Sequence, residues 1–336
     1  MFKQEKMRVM VLDKYGKFPL RSTEIPMPAV GDHDVLVEIH AASVNPLDLL
    51  VRDGKIRILQ KIDMPHVLGY DFAGVVIQAG RKARKFKVGD EVYGRPSKGG
   101  AFAEYISVNE DDIALKPRNL TFEEAASIPL VGLTSYQVLH EKLKLKAGQK
   151  VLIQAGSGGV GTFAIQLAKA MGLYVATTAS EAGAKLVESL GADRIINYKT
   201  EQFDTLLQGY DAVFDTKGGE TLEKAFKVVK KQGQILSVVG PPNARFGEEE
   251  RAGFVKTNLF RLVARKITKL EKKFNVKYSF LFMKPSGRQL EILSELIESE
   301  KIKPVIDRII SLEDAQKALE YSESGRAKGK IILRIK

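Results

Sequence analysis

The chain has 336 residues, a length typical of about two domains, and its composition is that of an ordinary globular protein. It contains no cysteine and only four histidines, which excludes disulfides, thiolate nucleophiles, iron–sulfur clusters and cysteine-bound zinc. The net charge of +12 suits an anionic cofactor as well as a nucleic acid, so charge alone does not choose between them.

The first third of the chain predicts a β-rich domain. Short runs such as VMVLDKYG, DVLVEIHAASV and FAGVVIQAG are rich in β-branched residues and are separated by Gly, Pro and Asp. The first residues contain no apolar leader, and no later apolar run is long enough to cross a membrane. We therefore expect a cytoplasmic protein without a membrane partner.

The middle of the chain alternates helical periodicity with short β-branched runs. The predicted strands are Lys150–Gln154, Leu173–Thr178, Ala192–Asn197, Ala212–Asp215, Gln234–Val239 and Lys277–Met283. This alternation predicts an α/β fold with a doubly wound parallel sheet. The end of the chain has the pattern helix, strand, helix, strand, and we expect it to return to the first domain. The predicted domains are residues 1–125 with 284–336, and residues 126–283.

A glycine-rich turn, AGSGGVG, joins the predicted strand KVLIQ to the predicted helix TFAIQLAKAMG. Gly156, Gly158 and Gly161 match G-x-G-x-x-G, and Ala155 with the last two glycines also fits A-x-x-G-x-x-G. Glycines allow a tight turn and close approach of the backbone to a pyrophosphate, and the helix N-terminus attracts the phosphates. This context predicts a dinucleotide site.

The second predicted strand of this sheet bears on the choice between NADH and NADPH. It ends in ATTAS, without the acid that usually binds the ribose 2′-OH of NADH. Ser180 leaves room for a 2′-phosphate, which favours NADPH. The alternative interpretation of Thr177, Thr178 and Ser180 is a merely polar loop.

Nine motifs along the chain carry a family resemblance. They are SVNPLDLLVRDG, VLGYDFAGVV, GDEVYG, GGAFAEY, AASIPLVGLTSYQVL, AGSGGVG, LGADRIINY, YDAVFDTKGGE and SGRAKGKIIL. With them the chain resembles the zinc-independent medium-chain dehydrogenase/reductases, in the quinone oxidoreductase and alkenal (enone) reductase branch. The resemblance implies a GroES-like β-barrel catalytic domain, a Rossmann domain that binds NADPH, and a homodimer. It also implies reduction of quinones, or of the C=C bond of α,β-unsaturated carbonyls, by metal-free hydride transfer.

The metal site of the zinc-dependent members has no counterpart in this sequence. Those members carry Gly-His-Glu where this chain has Gly69, Tyr70 and Asp71. The segment between Gly94 and Gly99 is also too short for their cysteine-rich lobe. We therefore expect no metal site.

The resemblance also implies a set of cofactor-binding residues. They are Thr134, Gly156, Ser157, Gly158, Gly159, Val160, Gly161, Ser180, Lys185, Tyr198, Val239, Gly240, Phe280, Phe282, Arg326 and Lys330. The set departs from the family where Gly183 occupies the place of a usual lysine after Ser180. Lys185 in the next turn is the candidate replacement. The segment 241–276 is also longer than in the simplest quinone oxidoreductases.

Four residues are candidates for the substrate side. Asn45 either donates to the carbonyl oxygen as that oxygen gains negative charge, or has only a turn role beside Pro46. Tyr70 either donates a proton or only packs. Asp48 and Arg52 are predicted to form an i,i+4 ion pair at the substrate pocket. The quinone assignment is weakened by Leu50, where some quinone oxidoreductases have tyrosine.

Bases crowd the segment 251–277, and two interpretations remain open. One is a solvated helix face. The other is a family member with a mainly non-catalytic role that binds cofactor and, through its basic surface, RNA. Because no aromatic stacking platform accompanies the bases, nucleic acid is not the predicted partner.

Overall fold

The computed structural model describes residues 6–336. The chain divides into two compact units: a first unit that ends at Leu133 and resumes over Lys284–Lys336, and a second unit of Thr134–Met283. The predicted domain limits at residues 125 and 283 stay a prediction.

The N-terminal part of the first unit consists mainly of antiparallel strands. Its elements are β1 (Lys6–Leu12), β2 (Arg21–Pro26), β3 (Asp34–Val44), α1 (Pro46–Arg52), β4 (His66–Val67), β5 (Phe72–Ala79), β6 (Glu91–Gly94), β7 (Tyr105–Asn109), β8 (Ile113–Leu115) and α2 (Phe122–Ala126). Strand β3 is central, since Val35, Val37 and Ile39 are all buried and the strand pairs with both β5 and β7.

The second unit starts within helix α3 (Pro129–Tyr136) and contains a parallel sheet. Its further elements are β9 (Lys150–Ile153), α4 (Gly159–Ala170), β10 (Tyr174–Ala179), α5 (Glu181–Ser189), β11 (Arg194–Asn197), α6 (Phe203–Leu206), β12 (Tyr210–Asp215), α7 (Gly219–Val228), β13 (Val229–Ser237), α8 (Ala244–Glu249), α9 (Gly253–Val263), α10 (Arg265–Phe274) and β14 (Lys277–Phe280). The strand order is β11-β10-β9-β12-β13-β14, with all neighbours parallel. The direction of winding reverses at β9, so the crevice that binds ligands in such sheets lies beyond its carboxyl end.

The end of the chain returns to the first unit through α11 (Gly287–Glu298), β15 (Ile306–Ser311), α12 (Ala315–Glu323) and β16 (Lys330–Arg334). Strand β16 pairs antiparallel with β3, which extends the barrel sheet to the order β15-β16-β3-β5-β6-β8. The predicted fold class, a GroES-like domain with a Rossmann-type parallel sheet, is confirmed. Among residues 6–336, no helix is long and apolar enough to span a bilayer.

Candidate functional site

The glycine-rich turn connects β9 to α4, and two of its glycines are required by close packing. A Cβ on Gly156 would lie 2.1 Å from Thr177 Oγ1, and one on Gly161 would lie 2.4 Å from the carbonyl oxygen of Ala155. Both distances are shorter than any real carbon contact, so neither position tolerates a side chain. At Gly158 the nearest atom is 3.4 Å away, which leaves space on that side of the turn. Gly158 is therefore an open position, with room for a methyl group, whereas Gly156 and Gly161 are closed positions without such room.

The start of α4 presents backbone donors. The helix has twelve residues, its N-cap is Gly158, and its first turn carries no acidic side chain. The N–H groups of Gly159, Val160 and Gly161 find no acceptor within the described part of the chain, as expected at a helix start. Free N–H groups and the positive end of the helix dipole favour a bound phosphate. The turn therefore fits the pyrophosphate of a dinucleotide.

Two residues of the predicted 2′-phosphate side directly follow the ends of neighbouring strands. Ala179 of β10 is the register partner of Asn197 of β11, so Ser180 and Tyr198 follow directly at the same sheet edge. Ser180 is the N-cap of α5, yet its hydroxyl makes no capping hydrogen bond. Strand β10 contains no carboxylate that would compete with a phosphate.

Gly183 has a structural reason to be glycine. A Cβ at this position would lie 2.8 Å from Ser157 Oγ in the glycine-rich turn. The start of α5 therefore packs directly against the turn, and a lysine there would displace Ser157. Lys185, two residues after Gly183, is exposed, and its contact with the cofactor stays a prediction.

A buried carboxylate that the sequence interpretation missed orients two loops of the second unit. Asp215, at the end of β12, accepts hydrogen bonds from Ser237 Oγ at 2.5 Å and from the N–H of Gly218 at 2.9 Å. Ser237 Oγ in turn accepts from the N–H of Gly240 at 2.7 Å. Burial raises the pKa of Asp215. The sequence did contain a signal for this residue, because Asp215 is an acid at the end of the apolar run YDAVFD.

The remaining cofactor candidates of the second unit differ in exposure. Val239 is exposed beside buried Gly240, and Thr134 is buried in α3. Phe280 is buried and meets Phe246 edge-on, with ring centroids 4.9 Å apart, so it contributes to the core. The predicted strand to Met283 ends already at Phe280, and Phe282 lies beyond it.

In the first unit, a buried ammonium occupies the centre of a polar cluster. Lys330 Nζ donates to Asn45 Oδ1 at 2.5 Å and to Asp71 Oδ2 at 3.0 Å, and all three residues are buried. The resemblance implied that Lys330 contacts the cofactor. The ammonium is engaged inside the first unit, and its contact with the cofactor stays a prediction. Arg326, from the same stretch, is exposed.

Asp71 is the common acceptor of this cluster. Besides Lys330, it accepts from Ser43 Oγ at 2.7 Å, Asn45 Nδ2 at 2.9 Å and the N–H of Leu130 at 2.7 Å. Lys330 and Asp71 thereby set the orientation of the Asn45 amide. Its Nδ2 group is engaged, with Asp71 and more weakly with the carbonyl of Ser43 at 3.4 Å. Asn45 is therefore not a free donor to an oxyanion in this structure.

The predicted ion pair between Asp48 and Arg52 is wrong. Asp48 instead accepts from the N–H groups of Asn45 at 2.8 Å and Gly69 at 2.9 Å. The reason is that Asp48 lies in the first turn of α1, where its carboxylate caps the helix start. Arg52 pairs with Asp53 and with Glu323 of α12. Burial raises the pKa of Asp48 to about 7, and the two backbone donors oppose this rise.

Tyr70 is fully buried, and its hydroxyl has no hydrogen-bond partner among the described residues. His66 Nε2 and Arg95 Nε, also buried, lack partners within the same part of the chain. The Arg95 guanidinium lies 5.2 Å from the centre of the Tyr70 ring. A Cβ on Gly99 would lie 3.1 Å from both His66 Nε2 and Tyr70 Cζ. His66 and Tyr70, each with a polar atom that lacks a partner, therefore lie beside Gly99. Burial raises the pKa of Tyr70, which keeps its proton in place.

The donor set does not fit zinc. The sequence has no cysteine, and no group of three His, Asp or Glu side chains among residues 6–336 is placed to bind a metal ion. At Tyr70, where the zinc-dependent members have histidine, the side chain offers a hydroxyl instead.

Comparisons with known proteins agree with this architecture. Residues 31–118 match the alcohol dehydrogenase GroES-like domain, and residues 190–333 match a family described as zinc-binding dehydrogenase. The chain is 36% identical to the 2-methylene-furan-3-one reductase of Solanum lycopersicum, over 95% of this chain and 76% of that protein. It is 34% identical to the chloroplastic NADPH-dependent alkenal/one oxidoreductase of Arabidopsis thaliana, over 98% and 80%. The solved quinone oxidoreductase of Coxiella burnetii superposes with a TM-score of 0.87 at 32% identity, covering 99% of this chain and 100% of that one.

Proposed function

The chain belongs to the medium-chain dehydrogenase/reductase superfamily of oxidoreductases, and from that premise we propose that it reduces quinones or the C=C bond of α,β-unsaturated carbonyls with NADPH. The observation that carries the proposal is the glycine-rich turn at the switch point of the parallel sheet, followed by a strand end without an acid. A homodimer and a cytoplasmic location stay predictions.

The cofactor, when bound, supplies a hydride. On the protein side, the N–H groups at the start of α4 hold the pyrophosphate, with Gly158 as the open position. Ser180 and Tyr198 bind the 2′-phosphate at the neighbouring strand ends. Asp215 keeps the loop at Gly240 in place through Ser237.

The acceptor needs no metal, because conjugation already makes its carbon electrophilic. The protein has to stabilise the negative charge that grows on the carbonyl oxygen. We assign this donor role to Tyr70, since its hydroxyl is protonated and free of partners, whereas the Asn45 amide is engaged. Lys330 and Asp71 act as positioning residues that hold Asn45 and the start of α1.

The test is an NADPH oxidation screen over quinones, 2-alkenals, enones, saturated aldehydes and simple alcohols with NADP⁺. Turnover of a conjugated acceptor that survives dialysis against a strong chelator supports the proposal. Alcohol oxidation without any quinone or enone turnover, or activity that only added zinc restores, contradicts it.

A further inference from the structure

Helix α9 of the second unit exposes most of its apolar side chains. It buries Phe260, whereas Phe254 is 84% exposed, Val255 80% and Leu262 65%, and Val263 is exposed as well. Leu259, at 39%, is the fifth exposed apolar side chain of the helix. At 100° per residue, all five lie on one half of the helix circumference. A group of exposed apolar side chains on one helix indicates an interaction surface rather than a core.

The same region concentrates positive charge. Residues 251–277 hold nine exposed bases and one acid, Glu271, so the segment carries a net charge of 9 − 1 = +8 of the +12 of the whole chain. The bases are Arg251, Lys256, Arg261, Arg265, Lys266, Lys269, Lys272, Lys273 and Lys277. Within the described part of the chain, Lys266 pairs with Glu223 and the other eight show no ion pair. This charge is therefore available to an external anion.

Apolar and basic side chains meet in one groove at the junction of α9 and α10. The groove has a volume of about 470 Å³ and is lined by Leu262, Val263, Arg265, Lys266 and Lys269. Three cations beside two aliphatic side chains suit a ligand that has an anionic head and an apolar body. A merely solvated helix face would not place exposed leucine and valine among its bases.

We propose that α9 and α10 form a docking surface for an anionic phospholipid membrane. Headgroup phosphates and carboxylates pair with the bases, while Phe254, Val255 and Leu262 enter the boundary of the acyl region. The contact is peripheral, since no described helix spans a bilayer. The proposal replaces our expectation of no membrane partner, and it does not depend on the proposed reaction.

Two other occupants fit the surface less well. A second copy of this chain would bring two segments of net charge +8 face to face, and their repulsion opposes association. A nucleic acid would satisfy the bases, but phosphate contacts leave the exposed Phe254 and Leu262 without a function. An anionic membrane is the occupant that uses both the charge and the apolar side chains.

The test is flotation of the full-length protein with vesicles of phosphatidylcholine alone or with about 30% phosphatidylserine. We expect binding to the anionic vesicles only, and weaker binding as salt rises. The double variant Arg261→Glu/Leu262→Ser should lower the affinity for anionic vesicles about tenfold or more, because it reverses one charge and removes one inserted side chain.

A matched control lies in the first unit. Lys87→Glu/Val88→Ser makes the same kind of change at an adjacent base and apolar residue, with Val88 64% exposed, and should leave vesicle binding as in the wild type. Circular dichroism checks that both variants fold. Equal binding to neutral vesicles, no binding to anionic vesicles, or an equal loss in the control overturns the proposal. So does tighter binding to an oligonucleotide at matched salt, or dissociation of an oligomer by the double variant.

Discussion

The Lys330 ammonium lies 3.0 Å from the Asp71 carboxylate, and both side chains are almost completely shielded from solvent. The two residues are far apart in sequence and meet because β16 pairs with β3, next to the strand β5 that follows Asp71. The pair also sets the orientation of the Asn45 amide and binds the N–H of Leu130. The pair therefore joins the last strand, β16, to Asn45 at the start of α1 and to Leu130 in α3.

Replacing one member of this pair should destabilise the protein strongly. Lys330→Met leaves a buried carboxylate without its cation, and such a loss typically costs about 3–5 kcal/mol. Denaturant titration followed by circular dichroism measures the effect. Lys336→Met is the matched control, because Lys336 pairs with Glu38 while 58% exposed, and an exposed pair contributes at most about 1 kcal/mol. Equal stability of the two variants would refute a structural role for the buried pair.

The carboxylate of Asp48 should make stability depend on pH. Its folded-state pKa is raised to about 7 by burial, above an unfolded value of about 3.9. The folded state therefore holds a proton that the unfolded state has lost, and stability falls as pH rises from about 4 to about 7. The slope is at most about 1.4 kcal/mol per pH unit. Asp48→Asn should lose this part of the slope, whatever its absolute stability, and an unchanged slope would show that Asp48 does not titrate there.

Tyr70→Phe should lower kcat/KM without lowering stability, since the hydroxyl that it removes has no partner in the folded protein. Loss of a donor in the reaction costs on the order of 10²-fold or more. Steady-state kinetics and thermal unfolding of the same preparation separate the two effects. If activity stays at the wild-type level, Tyr70 only packs.

Two adjacent glycines provide an independent check on the Tyr70 site. Gly99 and Gly100 have φ angles of 78° and 106°, so alanine strains the backbone at either position. A Cβ at Gly99 comes within 3.1 Å of His66 Nε2 and Tyr70 Cζ, whereas at Gly100 the nearest atom is 3.6 Å away. Gly99→Ala should therefore reduce activity more than Gly100→Ala.

The glycine-rich turn should respond differently at its closed and open positions. Gly161→Ala forces a Cβ to within 2.4 Å of a carbonyl oxygen, so it should lower the melting temperature. Gly158→Ala finds its nearest atom at 3.4 Å, so it should preserve the melting temperature. It should raise the KM for NADPH, because a methyl group at this turn hinders the close approach of the backbone to the proposed pyrophosphate. A Gly158→Ala enzyme with wild-type KM would contradict our placement of the pyrophosphate.

Local patterns in the sequence predicted the fold well. All six predicted strands of the second unit are present, and four of them differ from the predicted bounds by one or two residues. The larger differences are in β13, which begins at Val229 instead of Gln234 and ends at Ser237 instead of Val239, and in β14, which ends at Phe280 instead of Met283. The glycine-rich turn was recognisable because strand, turn and helix are contiguous.

Contacts between distant residues were not predictable in the same way. Lys330 and Asn45 are separated by 285 residues, so no local pattern links them. The helix spacing of Asp48 and Arg52 was misleading, because the free N–H groups at the helix start compete for the carboxylate. Gly183 departed from the family without an evident reason, and the structure provides one in its contact with Ser157.

The central claim, NADPH-dependent reduction of a conjugated acceptor, is tested most directly by kcat/KM for NADPH and for NADH at one ionic strength, with a 2-alkenal or quinone as acceptor. We predict a preference for NADPH of about a hundredfold, the value expected when about one to two hydrogen bonds to a charged group decide the choice. Ser180→Asp, which brings a carboxylate to the 2′-phosphate, should abolish or reverse that preference. A wild-type preference for NADH, or a ratio that Ser180→Asp leaves unchanged, would contradict the account.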